Sequence, residues 1–222
     1  MEKKKTAERF YTLTESKVLQ TFHVKSIRQC THLDTLLDTS ITLTAFEDGI
    51  LNLALERYKE LALGWNEEEL KMHFISPIFS VANPNLKSVC KTFFERPLSG
   101  VIDNYELNIV TDCMVASYDE AGLPVNPYFF LQERFAARFK QAQRFGKTDP
   151  QGQMLAAMLL AQQINDDKKP IYGCYVIERN WFFTTLNGLD YCISRQFDSS
   201  DKANLLQIVY ILRKLKDLIV ER

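Results

Sequence analysis

Residues 127–135 read Pro-Tyr-Phe-Phe-Leu-Gln-Glu-Arg-Phe, a run of large apolar side chains interrupted by Gln132 and Glu133. Glycine, proline and asparagine residues, which favour turns, precede this run at positions 122–127. Its apolar and aromatic residues are those that strands prefer, and the pattern predicts a central strand buried on both faces of a sheet. A carboxylate at the end of such a strand needs a partner, because an isolated buried charge is very costly.

The composition is that of one soluble globular domain with or without a small N-terminal extension. The chain has 222 residues, of which 46% are hydrophobic and 25% charged, with a net charge of −1. This charge excludes general basicity as an argument for nucleic-acid binding, although a local basic groove remains open. The five scattered cysteines predict reduced core residues, and no signal peptide or membrane-spanning segment is expected. We therefore expect a cytoplasmic protein.

The order of predicted elements indicates an α/β (α+β) fold, in which a mixed central β-sheet is flanked by helices. Residues 1–45 are expected to be an extension of short irregular elements packed on the main body, which is residues 46–222. Helices are predicted at 45–63, from Asn66 to a kink or end near Pro77, at 151–164 and at 201–220. Strands are predicted at 91–95, 100–106, 107–116, 127–134, 171–177, 181–186 and 189–194.

Asp112 is the second acid that the pattern singles out. Strict alternation along 107–116 places Asp112 on the same face as Val110 and Met114. A hairpin centred on residues 122–123 would bring Asp112 opposite Glu133 to within one residue, with Cβ atoms about 4.5–5.5 Å apart. Two carboxylates at that distance repel, and a divalent cation that prefers oxygen ligands relieves the repulsion. The alternative, that one acid is solvated at a strand end, stays open.

Glu69 is a third candidate acid, since it can point from its helix toward the sheet. Glu67, Glu68 and Glu69 all lie in the first turn after Asn66. Acidic residues at that end of a helix also stabilise it through the helix dipole. Both interpretations of Glu69 remain open from the residues alone.

Three segments taken together resemble the PD-(D/E)XK nuclease superfamily. They are Trp-Asn-Glu-Glu-Glu-Leu-Lys-Met-His-Phe-Ile-Ser-Pro at 65–77, Thr-Asp-Cys-Met-Val-Ala at 111–116 and Pro-Tyr-Phe-Phe-Leu-Gln-Glu at 127–133. More narrowly, the chain is similar to bacterial proteins related to the N-terminal nuclease part of type I restriction enzyme R subunits. Segments 149–153, 171–176 and 181–183 continue the resemblance, which covers 46–222. It rests on the order and spacing of the motifs and implies a restriction-endonuclease-like fold.

The resemblance implies a divalent-metal-dependent nuclease that hydrolyses phosphodiester bonds. Asp112 and Glu133 would hold Mg²⁺ (or Mn²⁺), with help from Glu69 and from the carbonyl of Arg134. Gln153 would match the polar residue that many of these folds carry on the following helix. The metal would activate a water and stabilise charge on the scissile phosphate. The implied partner is nucleic acid, DNA rather than RNA, while a protein partner or a second copy of the chain stays open.

The chain departs from the family pattern at the lysine of Glu-x-Lys, where it has Phe135. Alternation places Arg134 on the opposite face of the strand, so a substitute lysine would have to come from elsewhere, either from Lys140 or Lys147 in the following loop or from Lys71 after Glu69. Basic residues after the strand predict either a phosphate-contacting stripe or a solvated charged helix: Arg134, Arg138, Lys140, Arg144 and Lys147. Two hypotheses follow. One is an active nuclease with a displaced lysine, and the other is an inactive nuclease-fold module that binds nucleic acid or protein.

Overall fold

The computed structural model describes residues 7–40, 42–134 and 149–222. In this part of the chain nine strands form one mixed sheet, with helices on both of its faces, which confirms the predicted fold class. The strands are β1 (Glu8–Arg9), β2 (Lys25–Ile27), β3 (Lys91–Ile102), β4 (Tyr105–Tyr118), β5 (Pro124–Arg134), β6 (Ile171–Ile177), β7 (Asn180–Asn187), β8 (Asp190–Ile193) and β9 (Phe197–Asp198). The helices are α1 (Glu15–Thr21), α2 (Thr31–Leu37), α3 (Ala45–Leu61), α4 (Glu67–Leu70), α5 (Ser76–Ala82), α6 (Pro150–Asn165) and α7 (Lys202–Val220).

Strand β5 occupies the centre of the sheet, as its sequence predicts. It pairs antiparallel with β4 and parallel with β6, in the order β4-β5-β6-β7-β8-β2. Phe129 and Phe130 are fully buried on opposite faces, which explains the unbroken run of apolar residues. Helix α6 lies in the crossover between the two parallel strands, begins with Asp149 as its N-cap and is buried along most of its length.

The two faces of the sheet carry separate hydrophobic cores. On one face α3, α5 and α7 pack over Cys113, Val115, Phe129 and Leu131. On the other face α1 and α6 pack over the remaining inward residues of β4 and β5, such as Phe130. Helices α4 and α5 thus lie on the first face of the sheet, and α6 lies on the second.

Residues 7–40 add to both edges of the sheet. Strand β1 pairs in parallel with the start of β4, and β2 pairs in parallel with β8. Helix α1 packs directly on α6, where a side chain at Gly152 would meet the carbonyl oxygen of Leu13 at 2.2 Å. Within the described ranges the extension is thus integrated into the sheet and the core.

The helical segment after Asn66 differs from its prediction at Pro77. Asn66 and Glu69 form a capping box that starts α4, as the sequence indicates. The helix then widens into a π-helical turn, Lys71–Ile75, and continues as α5 with Pro77 in its first turn. Pro77 therefore does not end the helical segment, since it occupies the first turn of α5, where its missing N–H is tolerated.

Two further predictions need correction, and one strand was not predicted. The predicted strands 100–106 and 107–116 are wrong at their boundary, because β3 and β4 form one long hairpin that turns at Asp103 and Asn104. The turn between β7 and β8 falls at Gly188 and Leu189, one residue later than the Asn-Gly pair suggests. The short strand β9 was not predicted. Its two residues carry too little pattern to reveal a strand.

The cysteines agree with the prediction that they are reduced and mostly lie in the core. All five cysteines are free thiols, and four of them are buried. Among the residues that the structure describes, none of the helices has both the length and the apolar character needed to cross a bilayer.

Candidate functional site

A cavity of about 500 Å³ opens between the helical segment 67–82 and the strands β3, β4 and β5. A volume of this order is typical of small-ligand sites. Among the described residues, its charged lining consists of one lysine and four acids: Lys71, Glu68, Glu95, Asp112 and Glu133. Asp112 and Glu133, the two acids predicted from the strand pattern, therefore lie in the same cavity.

Strand β4 breaks its alternation beside Asp112. Ile109 and Met114 both pack with α6, although they are five positions apart. Strict alternation would place them on opposite faces, so the prediction that Asp112 shares a face with Met114 is wrong. Asp112 and Cys113 both line the cavity instead, on the face away from α6.

The partner strand β3 is irregular at the same level. Phe94 pairs with Cys113 and Arg96 with Thr111, so that Glu95 lies across from Asp112. Glu95 has a left-handed backbone with φ of 49°, which is unfavourable for a residue with a side chain. Phe94 and Glu95 consequently both face the cavity. Backbone strain of this kind is concentrated at functional sites.

Glu133 is held at the inner wall of the cavity. Its side chain is 3% exposed, and its backbone N–H donates to Asp112 Oδ2 at 2.8 Å. The side chain of Gln132 links β5 to β4 beside Asp112. Its Nε2 donates to the carbonyl oxygen of Val110, and its Oε1 accepts from the N–H of Asp112. Neither carboxylate oxygen of Glu133 accepts a hydrogen bond from the described residues. A buried carboxylate in this state needs a cation.

Lys71 supplies a positive charge to Glu133. Its Nζ lies 3.0 Å from Glu133 Oε1 in an ion pair that is not aligned as a hydrogen bond. The same Nζ lies 3.3 Å from Glu95 Oε1 and 3.6 Å from Glu68 Oε1. Lys71 begins the π-helical turn, an irregularity that often marks functional positions.

The pKa values of Lys71 and Asp112 both shift upward. Burial alone would lower the pKa of Lys71, but the carboxylates of Asp112, Glu95 and Glu68 raise it by more. Lys71 is therefore a protonated cation at neutral pH. Burial raises the pKa of Asp112 to about 7, partly offset by Lys71 and reinforced by Glu95. Asp112 therefore exchanges its proton near neutral pH.

The donor set of the cavity fits a divalent cation that prefers oxygen. Asp112 and Glu133 present carboxylate oxygens, and those of Glu133 accept no hydrogen bond from residues 7–40, 42–134 or 149–222. The described ranges contain no group of three or more Asp, Glu, His or Cys side chains that could together hold a metal ion. Magnesium commonly takes only one or two protein carboxylates and completes its shell with water and substrate oxygens. The two acids are enough for such a site.

The other predicted site residues lie elsewhere or outside the described ranges. The carboxylate of Glu69 accepts the N–H of Asn66 at 2.7 Å in the capping box and does not line the cavity. Gln153 lies on α6, which packs on the opposite face of the sheet. Residues 135–148 and the side chain of Arg134 lie outside the described part of the chain. The predicted site residues in the segment 135–148 are Phe135, Arg138, Lys140, Arg144 and Lys147.

Glu95 is a cavity residue that the sequence did not single out. It lies in a predicted strand, where a glutamate ordinarily points to solvent, and no local pattern indicates a left-handed residue there. Glu68 was named only as part of the acidic first turn of α4. The one sequence feature that could have indicated Glu68 and Glu95 as site residues was the number of acids around Lys71 and in the predicted strands.

Comparison with known proteins identifies no family. No family model matches the chain, and no curated protein matches it. Among solved structures, a chain in the cryo-electron microscopy structure of the DrdV–DNA complex is similar, with a TM-score of 0.41 and 9% identity. The match covers 75% of this chain and 14% of that chain. Similarity at this level carries no conclusion about the activity or the partners of this chain.

Proposed function

We propose that this protein is a divalent-metal-dependent nuclease in which Lys71 takes the place of the lysine that the PD-(D/E)XK pattern has at position 135. The observation that carries the proposal is the buried carboxylate of Glu133, which lies between Asp112 and Lys71 and whose oxygens accept no hydrogen bond from the part of the chain that the structure describes. The proposal is supported further by the cavity that all three of these residues line.

Asp112 and Glu133 are the residues that would hold Mg²⁺ or Mn²⁺, with the Arg134 carbonyl as a further ligand proposed from the family pattern. When bound, such an ion supplies Lewis-acid stabilisation of phosphoryl oxygens and makes water more acidic. Asp112 has a pKa of about 7, so that metal binding must displace a proton from part of the population. The proposal therefore predicts weaker metal binding below neutral pH.

Lys71 acts as a fixed cation in this proposal. Its raised pKa excludes a role as general base at neutral pH, because the amine holds its proton. The ammonium group beside Glu133 can donate hydrogen bonds to an attacking water and to a phosphate oxygen. Pre-positioned charge of this kind stabilises the developing negative charge of the transition state.

A second candidate function is an inactive module that keeps the nuclease fold to bind nucleic acid or a protein. The observation that favours it is the set of ion pairs around Lys71, which contacts Glu67, Glu68, Glu95 and Glu133 within 4 Å. A lysine held by this many acids stabilises the structure without any catalytic role. The two candidates differ in whether loss of Asp112 or Lys71 abolishes cleavage.

The deciding experiment is cleavage of labelled single-stranded DNA, duplex DNA and RNA with Mg²⁺ and with Mn²⁺. Asp112→Asn keeps the size of the side chain and an oxygen that accepts the Glu133 N–H, while it removes the negative charge. Asp190→Asn, at an exposed acid of β8, is the matched control. Metal-dependent cleavage that persists in Asp190→Asn and disappears in Asp112→Asn supports the nuclease. Cleavage that is absent, or equal in both variants, supports the inactive module.

A further inference from the structure

The wall of the cavity beside the acids is apolar and open to solvent. Phe94 is 61% exposed and Met72 is 67% exposed, and both line the cavity with the deeper side chains of Ile75 and Phe79. A phenylalanine in a strand that faces a helical layer is ordinarily covered. Phe94 lies directly before the left-handed residue Glu95, where the alternation of β3 is broken.

A polar group without a partner lies on the same wall. The hydroxyl of Thr92 is buried and makes no hydrogen bond with the described residues, and Thr92 also lines the cavity. Thr92 and Phe94 are two positions apart on β3, so they share one side of the strand. An aromatic face and a free hydroxyl are thus presented side by side, next to the carboxylates of Asp112 and Glu133.

The charges around the cavity disfavour a double helix. Four carboxylates and a single lysine line the described part of the cavity, and the carboxylate of Glu67 lies 3.9 Å from Lys71 Nζ. A duplex presents about one phosphate charge per 1.7 Å of its axis, and such a density is repelled by an acidic lining. A single strand can place one phosphate at a metal held by Asp112 and Glu133 while its base turns toward an apolar wall.

We propose that the site takes single-stranded nucleic acid, with one unpaired base stacked on Phe94 beside the metal-binding acids. The inference rests on the proposed nuclease function and specifies its substrate class. An aromatic face accepts any of the bases, because stacking needs only their π-surface. The Thr92 hydroxyl then offers one hydrogen bond to the base or to the sugar of the same nucleotide.

Binding measured separately from cleavage tests this inference. A fluorescent twelve-nucleotide oligothymidylate and a duplex of the same length are titrated with protein in Mg²⁺ or Ca²⁺, and anisotropy reports the affinity. Gel electrophoresis after each titration confirms that the strands are intact. Phe94→Ala should lower the affinity for the single strand roughly 5- to 150-fold, the range of base–aromatic stacking. Phe94→Trp should preserve it.

The matched control is Phe46→Ala, since Phe46 is 78% exposed on α3 and does not line the cavity. Equal affinities of Phe94→Ala and Phe46→Ala overturn the inference, as does binding of the duplex as tightly as the single strand, or no binding of either. If the native protein cleaves nucleic acid and Phe94→Ala binds the single strand normally, the nuclease proposal is supported and the stacking site is excluded. Binding that depends on Phe94 without any cleavage supports the single-strand site and removes the catalytic proposal.

Discussion

Lys71 Nζ lies 3.0 Å from Glu133 Oε1, although the two residues belong to different elements 62 positions apart. The lysine starts a π-helical turn and the glutamate lies near the end of the central strand. A lysine is thus present at the acidic end of β5 even though the sequence has Phe135 at the expected position. The chain supplies this charge from the helical layer above the sheet.

Removing this lysine should destabilise the protein. Lys71→Met leaves Glu133 buried without its cation, and we expect a loss of about 1–3 kcal/mol in the free energy of unfolding at pH 8. Urea denaturation without divalent metal measures this loss. The control is Lys214→Met, because Lys214 forms only a surface pair with Asp217 at 3.7 Å and should change stability by less than about 1 kcal/mol. Equal effects of the two substitutions contradict the interpretation of Lys71.

Divalent metal should raise the melting temperature of the native protein. A ligand that binds only the folded state at ten times its dissociation constant adds about 1.4 kcal/mol. For a domain of this size such a gain corresponds to roughly 3–6 °C. Thermal scans with Mg²⁺ or Mn²⁺, compared with NaCl at equal ionic strength, measure the shift. Asp112→Asn should lose it and Asp190→Asn should keep it, and an unchanged shift in Asp112→Asn places the metal elsewhere.

Without metal, the stability should fall as the pH rises through about 7. Asp112 has a pKa of about 7 in the folded protein, raised by burial from its ordinary value of 3.8. The folded state therefore holds a proton that the unfolded state releases, and this contribution to stability is lost as the pH passes the folded pKa. Urea denaturation at pH 6 and pH 8 in a chelator tests this expectation. Asp112→Asn should show a weaker decline than the native chain, and parallel declines would exclude Asp112 as the titrating group.

Replacing Glu95 should separate stability from activity. A left-handed non-glycine residue costs about 1–2 kcal/mol, so Glu95→Gly relieves strain while it removes an ion pair to Lys71. We expect a small gain or no change in stability together with reduced cleavage. Asp103→Gly is the control, since Asp103 has φ of 54° in the β3–β4 turn away from the cavity. It should leave cleavage unchanged, and unaltered cleavage in Glu95→Gly excludes Glu95 from the site.

The contact between α1 and α6 should be sensitive to a single methyl group. A Cβ at Gly152 would lie 2.2 Å from the Leu13 carbonyl oxygen and 2.4 Å from the carbonyl carbon of Thr14, both backbone atoms. Gly152→Ala should therefore destabilise the protein by at least about 1–3 kcal/mol, the typical cost of overpacking substitutions. Gly49→Ala has open space and should instead stabilise α3 by about 1 kcal/mol. Thermal unfolding of both variants tests whether residues 7–40 are part of the folding unit, and a neutral Gly152→Ala contradicts it.

The major elements could be predicted because local patterns determine them. The apolar run of β5, the Asp-Pro start of α6 and the apolar stripe of α7 are each a short-range signal, and all three elements are present. The β3–β4 turn was misplaced although Asp103 and Asn104, the two residues that form it, are of types that favour tight turns. Pro77 was expected to kink or end its helix, whereas it occupies the first turn of α5 in a helical segment that continues to Ala82.

The sequence by itself determined the class of fold, the central strand and the two acids Asp112 and Glu133, since these follow from periodicity and from the cost of a buried charge. Only the tertiary structure decided that Lys71 and Glu95 join the two acids in one cavity. Uninterrupted alternation would have placed Met114 on the same face as Asp112, but Met114 packs on the α6 face. The break of β4 follows Asp112 and lies across from the left-handed Glu95, so that Asp112 and Cys113 both line the cavity. Such irregularities depend on contacts between strands, and for that reason the pattern of a single strand does not reveal them.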